Sequence, residues 1–360
     1  MNLIDLGWNE FFIKEFDKYK NEGFKPARVA QEHKGLYIIF AEDGELKAEI
    51  TGKLRYKSSS RADFPAVGDW VAVSTFPEQG TAVIHAVLGR QSSFSRKLAG
   101  LETDEQILAA NISTVFLVSG LDNDFNIRRI ERYLSAAWDS GASPVIILNK
   151  ADLCADIDAA IQKVEEIAIG VPVHAISAAE SKGLELISQY LKKGHTIALL
   201  GSSGVGKSTI INTLLGEQRQ KTLAVRKGDN RGYHATTSRE LIVLPEGGIF
   251  MDTPGLRLFK IWSGEEGLAQ LFEDIEELIL QCKFSDCKHE SEPGCAVKKA
   301  LADGSLDSKR YESYLKLQKE KKFLEMQKDY KLIRRSRKEW QKKVLQIVQA
   351  REELKKKGLL

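Results

Sequence analysis

The sequence predicts a multidomain α/β protein with an N-terminal β-barrel, a central α/β domain and a C-terminal helical domain. Three observations predict this order. Short strand patterns crowd between residues 27 and 87, and strands then alternate with helices over residues 107–261. Three of the four cysteines lie, with one histidine, within residues 282–295. We place the domains at residues 1–100, 101–262 and 263–360.

The N-terminal part contains short apolar runs separated by turn residues, and it contains no long helical pattern. Short strands at close spacing favour a small β-barrel. A helical pattern over Asn9–Lys18 precedes the barrel. The predicted strands are Gly35–Phe40, Leu46–Ile50, Val67–Val73 and Thr81–Val87.

The central part alternates short buried strands with amphipathic helices. This rhythm is typical of a parallel sheet that is covered by helices on both faces. The predicted strands are Ser113–Val118, Pro144–Leu148, Thr196–Leu200 and Gly248–Met251. The predicted helices between them include Ile127–Ser140, Ile157–Ile169 and Gly183–Leu191.

A phosphate-binding loop follows the strand Thr196–Leu200. Its sequence fits the pattern G-x-x-x-x-G-K-[ST], and an apolar helix follows it. Glycines let successive N–H groups point at phosphate oxygens, and the helix N-terminus adds positive potential. We expect Lys207 to reach the β- and γ-phosphates, as a catalytic residue, and Ser208 to bind Mg²⁺. The motif predicts a nucleoside triphosphate but does not specify the base. The expected contacts are Gly201, Ser202, Ser203, Gly204, Val205, Gly206, Lys207, Ser208 and Thr209.

A guanine-reading motif, N-K-x-D, follows the strand Pro144–Leu148. A carboxylate accepts two hydrogens from guanine that adenine cannot supply, so Asp152 is the predicted specificity residue. Asn149 is expected to fix the loop and meet the purine edge, and the stem of Lys150 to cover the ring. Ser177 and Ala178, at the end of another strand, resemble the short backbone contact that GTPases make to the guanine oxygen.

Two further segments resemble the switch elements of GTPases. Asp252–Gly255 matches D-x-x-G, in which Asp252 holds Mg²⁺ through water and the Gly255 N–H senses the γ-phosphate. Leu256 stands where many GTPases place a water-orienting glutamine. Because leucine cannot orient water, we expect slow intrinsic hydrolysis.

A polar, glycine-containing loop over residues 228–239 precedes that element, as expected for a switch loop. His234 is a candidate for positioning the catalytic water, and an ordinary loop histidine is the alternative. Thr236 or Thr237 is expected to bind Mg²⁺, with Thr236 the catalytic candidate. Nothing in the spacing chooses between the two threonines.

The order of these motifs is permuted. Ordinary GTPases place the phosphate loop first, whereas here the guanine motif at Asn149–Asp152 precedes Gly201. A sheet can keep its contacts after such a permutation, because domain termini often lie close together. The D-x-x-G element then leads directly into the C-terminal segment, so its movement can be transmitted there.

The cysteine cluster offers three thiolates and one imidazole within 14 residues. This is a complete tetrahedral Zn²⁺ ligand set with no position open for water, which favours a structural ion. Cys154 stands apart and is expected to be a buried or partly buried thiol. The predicted ligands are Cys282, Cys287, His289 and Cys295.

Charge is distributed unevenly along the chain. The net charge is +3, but residues 309–360 carry +11, which leaves −8 on the remainder. A basic tail favours contact with nucleic acid, and a solvated charged helix is the alternative. The sequence shows neither a membrane-spanning run nor a secretory signal, so we expect a cytoplasmic protein.

Together these motifs resemble the circularly permuted GTPases of the RsgA family, which act in biogenesis of the small ribosomal subunit. The resemblance covers nearly the whole chain, including Phe64–Val71 in the barrel and Arg231–His234 in the switch loop. It implies an N-terminal OB-fold that meets 16S rRNA, and GTP hydrolysis to GDP and phosphate stimulated by the 30S subunit during its late assembly. It also implies a zinc-bearing helical domain. One departure stands at Ala235, where the family usually has threonine.

We expect the protein to be a monomer. Two other functions remain open at this point. The first is a GTP-dependent RNA clamp without turnover, which Leu256 favours. The second is a GTPase that serves another RNA or a membrane transporter, although the sequence shows no membrane span.

Overall fold

The computed structural model describes residues 1–33, 35–97, 105–216, 239–244, 247–252, 265–319 and 322. Helix α1 (Glu10–Lys20) begins at Asn9, whose side chain accepts hydrogen bonds from the Phe11 and Phe12 N–H groups. Phe12 and Phe16 are buried, and the Phe12 ring lies 5.7 Å from the ring of Trp70 in the barrel. The apolar face of α1 therefore covers one side of the barrel.

The barrel is a sheet that closes on itself. The strand order is β1-β2-β3-β5-β4, and β1 also pairs with β4. The short helix α2 (Gly52–Lys57) follows β3 and begins at Thr51, whose hydroxyl accepts a hydrogen bond from the Leu54 N–H. Alternate strand residues fill the interior, with Val29, Ile39 and Ile84 almost fully buried. The strands are β1 (Lys25–His33), β2 (Leu36–Ala41), β3 (Gly44–Ile50), β4 (Trp70–Phe76) and β5 (Thr81–Val87).

A separate hairpin connects the barrel with the central domain. It consists of β6 (Ser93–Lys97) and β7 (Glu105–Ala110), which pair in antiparallel register. The sequence patterns did not predict this hairpin, and they did not resolve β1 as a strand. Both limits of the central domain, at residues 100 and 262, fall outside the described residues and stay predictions.

The central sheet has the order β10-β9-β8-β11-β13-β12. The first five strands are parallel, and β12 is antiparallel to β13. Apolar side chains form one core on each face of this sheet, so the prediction of a doubly covered sheet is confirmed. The strands are β8 (Thr114–Gly120), β9 (Ser143–Asn149), β10 (Val173–Ala175), β11 (Thr196–Leu200), β12 (Glu240–Val243) and β13 (Ile249–Asp252). The helices are α3 (Ile127–Ser140), α4 (Ile157–Glu165), α5 (Leu184–Ser188) and α6 (Lys207–Leu215).

The barrel and the central sheet are joined by backbone and side-chain contacts. Gln31 of β1 pairs with Glu240 of β12, which makes the two sheets continuous. Arg28, 1% exposed, donates hydrogen bonds to the carbonyls of Leu6, Gly68 and Asn111. Burial lowers the pKa of Arg28 to about 10, although Asp69 opposes the shift. The guanidinium thus remains charged near neutral pH and ties three segments together.

The C-terminal region packs against α3. Its elements are α7 (Glu265–Leu271), α8 (Glu273–Leu280), α9 (Ala296–Asp303) and the helical residues 308–319. Gly267 permits close approach, because a Cβ there would lie 2.3 Å from the carbonyl oxygen of Ser135 on α3. Within the described residues, none of the helices combines the length and apolar composition that a membrane span requires.

A buried carboxylate fixes this interface. Glu131 on α3 is 0% exposed, and its carboxylate lies 2.6 Å from Arg128 Nη1. It also accepts a hydrogen bond of 2.8 Å from Ser313 Oγ and lies 3.7 Å from Arg310 Nη1. Arg310 in turn forms a bidentate ion pair with Asp274 of α8. The C-terminal helices are therefore anchored to the central domain through ionic contacts as well as apolar ones.

Candidate functional site

The phosphate loop lies at the carboxyl end of the central strand β11, with β8 and β13 on either side. The loop ends at Gly206, which precedes α6 with φ +100°, a conformation that favours glycine. Lys207 is 6% exposed, and its ammonium donates to the carbonyls of Gly201 and Ser202 at 2.7 and 2.5 Å. Ser208 and Thr209 lie in the first turn of α6, at the positive end of its dipole. This geometry is suited to an anion with several oxygens.

Two glycines of the loop are required by close neighbours. A Cβ on Gly201 would lie 2.3 Å from the Val118 carbonyl oxygen, and a Cβ on Gly206 would lie 2.1 Å from Asn149 Nδ2. Neither distance is sterically allowed, and the Val118 carbonyl oxygen near Gly201 is a backbone atom that cannot move aside like a side chain. The glycines of the motif therefore serve packing as well as backbone conformation.

Asn149 joins the phosphate loop to the loop after β10. Its Nδ2 donates to the Val205 carbonyl at 2.7 Å, and its Oδ1 accepts from the Ala178 N–H at 3.0 Å. The side chain is 3% exposed, so water does not compete for these bonds. Three segments that are distant in sequence therefore meet at one amide, and the guanine motif lies beside the phosphate loop despite the permuted order.

The remaining guanine-motif side chains are held by polar partners. Asp152 is exposed, and one of its oxygens accepts a hydrogen bond of 2.5 Å from Ser177 Oγ. Lys150 has φ +65° and pairs with Asp122 at 2.6 Å. Partial burial, the largest single effect, raises the pKa of Asp122, but the hydrogen bonds from Lys150 and the Asp124 N–H together with the Lys150 charge outweigh it, and the net shift is downward. Asp122 is accordingly ionised at neutral pH and fixes the lysine.

A second ion pair, between Asp124 of the loop after β8 and Arg129 of α3, supports the phosphate loop. Arg129 Nη1 lies 2.5 Å from Asp124 Oδ1 and 2.9 Å from Ser202 Oγ, and Ser202 Oγ also bonds to Asp124 Oδ2. Sequence reasoning missed Asp124 and Arg129, as it missed Asp122. No motif marks them, because their contact with Ser202 arises only when β8 and β11 become neighbours in the sheet.

The switch residues are only partly placed. Asp252 ends β13, next to β11, so it lies at the same edge of the sheet as the phosphate loop. His234, Thr236, Thr237, Gly255 and Leu256 lie outside the described residues, as does most of the basic tail.

The cysteine cluster forms at the end of α8 and the start of α9. The ligand atoms of Cys282, Cys287, His289 and Cys295 all lie within 4.8 Å of one another. The Cys282 and Cys295 sulfurs are 4.0 Å apart, and His289 Nδ1 lies 3.6 and 3.4 Å from them. Cys295 caps α9, and its sulfur accepts a hydrogen bond from the Lys298 N–H. The cluster can bind a metal ion. Cys154 is partly buried and separate from it.

Comparisons with known proteins agree with this architecture. A family model described as RsgA GTPase matches residues 87–262, and one described as 50S ribosome-binding GTPase matches residues 196–356. The small ribosomal subunit biogenesis GTPase RsgA of Opitutus terrae is 47% identical, over 98% of this chain and 99% of its own.

Two solved structures share the fold. The structure of YjeQ from Thermotoga maritima has a TM-score of 0.61 and 28% identity, and the match covers 83% of this chain and 98% of that one. The structure of YloQ, described as a circularly permuted GTPase, has a TM-score of 0.59 and 25% identity, over 83% and 95% of the two chains. The similarity extends across the barrel, the permuted domain and the helical region. The chain belongs to the RsgA GTPase family.

Proposed function

We propose that this GTPase binds the small (30S) ribosomal subunit, assists its late assembly, and hydrolyses GTP to GDP and phosphate when the subunit stimulates it. The observation that best supports GTP binding is the position of the Asn149 amide, which joins the phosphate loop to the loop after β10 that contains Ser177 and Ala178. The near-full-length similarity to a GTPase that is named for small-subunit biogenesis supports the partner.

The roles of the nucleotide-binding residues follow from their positions. Asp152, with an exposed carboxylate, accepts hydrogen bonds from guanine, and the segment of Ser177 and Ala178, which Asn149 holds in place, makes the short backbone contact to the guanine oxygen. Lys207 and the N–H groups of the loop neutralise the β- and γ-phosphates. Lys150, fixed by Asp122, covers the purine ring with its stem. This division of roles separates base selection from phosphate binding.

GTP hydrolysis requires Mg²⁺, which would supply positive charge to neutralise the phosphates. Ser208 and Thr236 are proposed as its ligands, with Asp252 holding it through water. We assign water positioning to His234, because leucine replaces glutamine at position 256. Gly255 senses the γ-phosphate through its N–H.

The cysteine cluster is proposed to hold one structural Zn²⁺. A tetrahedral ion with Zn–S bonds of about 2.3 Å has S–S edges of about 3.8 Å and S–N edges of about 3.6 Å. The observed separations of 4.0, 3.6 and 3.4 Å fit these edges. All four positions are protein ligands, so the ion stabilises α8 and α9 rather than taking part in hydrolysis.

The remaining partners are inferred from family and charge. We propose that the barrel and the basic tail contact 16S rRNA, that the chain acts as a monomer, and that it works in the cytoplasm with the ribosome. The domain limits of 1–100, 101–262 and 263–360 are part of this proposal.

The deciding experiment measures GTP turnover alone, with purified 30S subunits and with 50S subunits, with ATP as the nucleotide control. We expect stimulation by 30S alone and only for GTP. The 50S arm is included because one matching family model is described by that subunit. A flat response to 30S, with tight GTP binding, would leave the guanine site intact and remove the small subunit from the mechanism.

His234→Ala separates an enzyme from a clamp. Loss of 30S-stimulated turnover with unchanged GTP affinity supports the assigned role of His234. Unchanged turnover excludes that role. A wild-type protein that binds GTP and RNA but never turns over would favour the clamp.

A further inference from the structure

The barrel carries an exposed basic and aromatic surface that the nucleotide site does not explain. Four residues of α2 form it, namely Lys53, Arg55, Tyr56 and Lys57, and all four are exposed. The Tyr56 side chain is 92% exposed, although α2 is anchored to the barrel core through Leu54. We call these four residues the α2 patch.

An aromatic ring held in water next to cations is typical of surfaces that bind single-stranded nucleic acid. Bases stack on the ring, whereas lysine and arginine contact phosphates. Folding does not bury Tyr56, so its ring surface is available to a partner. The Thr51 hydroxyl accepts a hydrogen bond from the Leu54 N–H at the start of α2, and the Ser58 N–H donates to the Leu54 carbonyl at its end, so both ends of the helix are capped.

A cleft of about 650 Å³ lies beside the patch, within the range of about 300–1,000 Å³ typical of small-molecule sites. Lys53, Leu54 and Lys57 line this cleft. Phe24 and His85 also line it, with their rings stacked at 4.2 Å between centroids and 25° between planes. The cleft therefore combines a pair of stacked aromatic rings with two lysines.

The acidic groups of the cleft restrict what it can bind. Glu22 and Asp63 also line it. The Asp63 carboxylate is engaged by the N–H groups of Ser59 and Ser60, whereas Glu22 is exposed. A carboxylate repels a free phosphate but accepts hydrogen bonds from the amino groups of a base. Burial lowers the pKa of His85 although Glu22 opposes this, so the ring is neutral at pH 7 and stacks without repelling cations.

We propose that the α2 patch and its cleft bind an unpaired nucleotide of ribosomal RNA, with the base against Phe24 and His85 and the flanking phosphates at Lys53 and Lys57. The neighbouring bases of the same strand stack on Tyr56 when the cleft holds the first. This proposal rests on the proposed function, because the small subunit supplies the RNA.

The test compares the affinity of variants for 30S subunits in the presence of a non-hydrolysable GTP analogue. We expect Tyr56→Ala to weaken 30S binding at least about fivefold, the loss typical of one stacked base. Tyr56→Phe keeps the ring and is expected to bind like wild type. Equal affinity of Tyr56→Ala and wild type would overturn the proposal. A wild-type protein that does not bind 30S would instead remove the proposed function itself.

Salt dependence tests the lysines separately. In Lys53→Ala/Lys57→Ala, loss of two phosphate contacts should reduce the slope of log affinity against log salt by about 1.4. The matched control, Lys163→Ala/Lys192→Ala, removes two exposed lysines of the central domain and should keep the slope. An unchanged slope in the first variant would contradict the phosphate contacts. GTP affinity, measured on every variant, should not change, because the α2 patch is separate from the phosphate loop.

Cross-linking distinguishes RNA from protein as the partner. Tyr56→p-benzoylphenylalanine, irradiated on 30S subunits, is expected to form a product that nuclease shortens. A product that only protease shortens would show a ribosomal protein at the patch and would overturn the RNA assignment.

Discussion

Substitution of Asn149 by alanine tests whether one buried amide aligns the two halves of the nucleotide site. The change removes the bond to the Val205 carbonyl and the bond from the Ala178 N–H, 2.7 and 3.0 Å long. A buried hydrogen bond contributes about 1 kcal/mol net, so the pair contributes about 2 kcal/mol. If that free energy aligns the loops for GTP, the dissociation constant for GTP rises about 30-fold.

The assay is a fluorescence titration with a labelled GTP analogue, alongside thermal unfolding without nucleotide. Asn21→Ala, at an exposed position after α1, is the control and should bind GTP like wild type. Gly206→Ala should weaken GTP binding from the opposite side, because its methyl group would need the space of Asn149 Nδ2. An Asn149→Ala protein with GTP affinity within twofold of wild type would refute the reasoning.

Three further predictions concern the surroundings of the site. Arg129→Ala removes the cation that holds Ser202 and should weaken GTP binding several-fold, measured by the same titration; unchanged affinity would exclude a positioning role. Treatment with a strong chelator should release about one equivalent of zinc, measured by elemental analysis, and lower the unfolding temperature, measured by calorimetry. The Cys295→Ser variant should contain less than one equivalent of zinc as purified. Absence of metal from the purified wild type would contradict the zinc site. Glu131→Gln leaves Arg310 without its buried carboxylate and should lower the free energy of unfolding by about 1–3 kcal/mol in denaturant titrations, whereas no change would mean that apolar packing alone holds the interface.

The extent to which the sequence predicted the fold depends on how local each signal is. The limits of α3 and β11 agree with the predicted ranges, because α3 has a strong helical period and β11 is a short, fully buried run that ends at the glycine of the phosphate loop. Helix α4 ends at Glu165, four residues before the predicted end. The strand β1 was not resolved, because its polar residues interrupt the alternation and its stability comes from pairing with β2, β4 and β12.

The candidate site shows the same division. Lys207, Asn149 and Asp152 were predicted from motifs, since phosphate and guanine recognition require fixed residue types at fixed spacing. Asp124 and Arg129 were not predicted. Their hydrogen bonds with Ser202 join residues 78 and 73 positions apart, and such contacts leave no periodic pattern in the sequence.

The sequence by itself determined the motifs: a phosphate loop, a guanine motif, three cysteines and a histidine at the spacing of metal ligands, and the permuted order in which they occur. Local spacing carries this information, because each motif acts through a short segment. Only the tertiary structure decided how the segments meet, with Asn149 between two loops and Glu131 between α3 and the C-terminal helices. Such contacts depend on which strands become neighbours. The strand order is set by burial of the apolar faces of the whole sheet, and no single segment determines it.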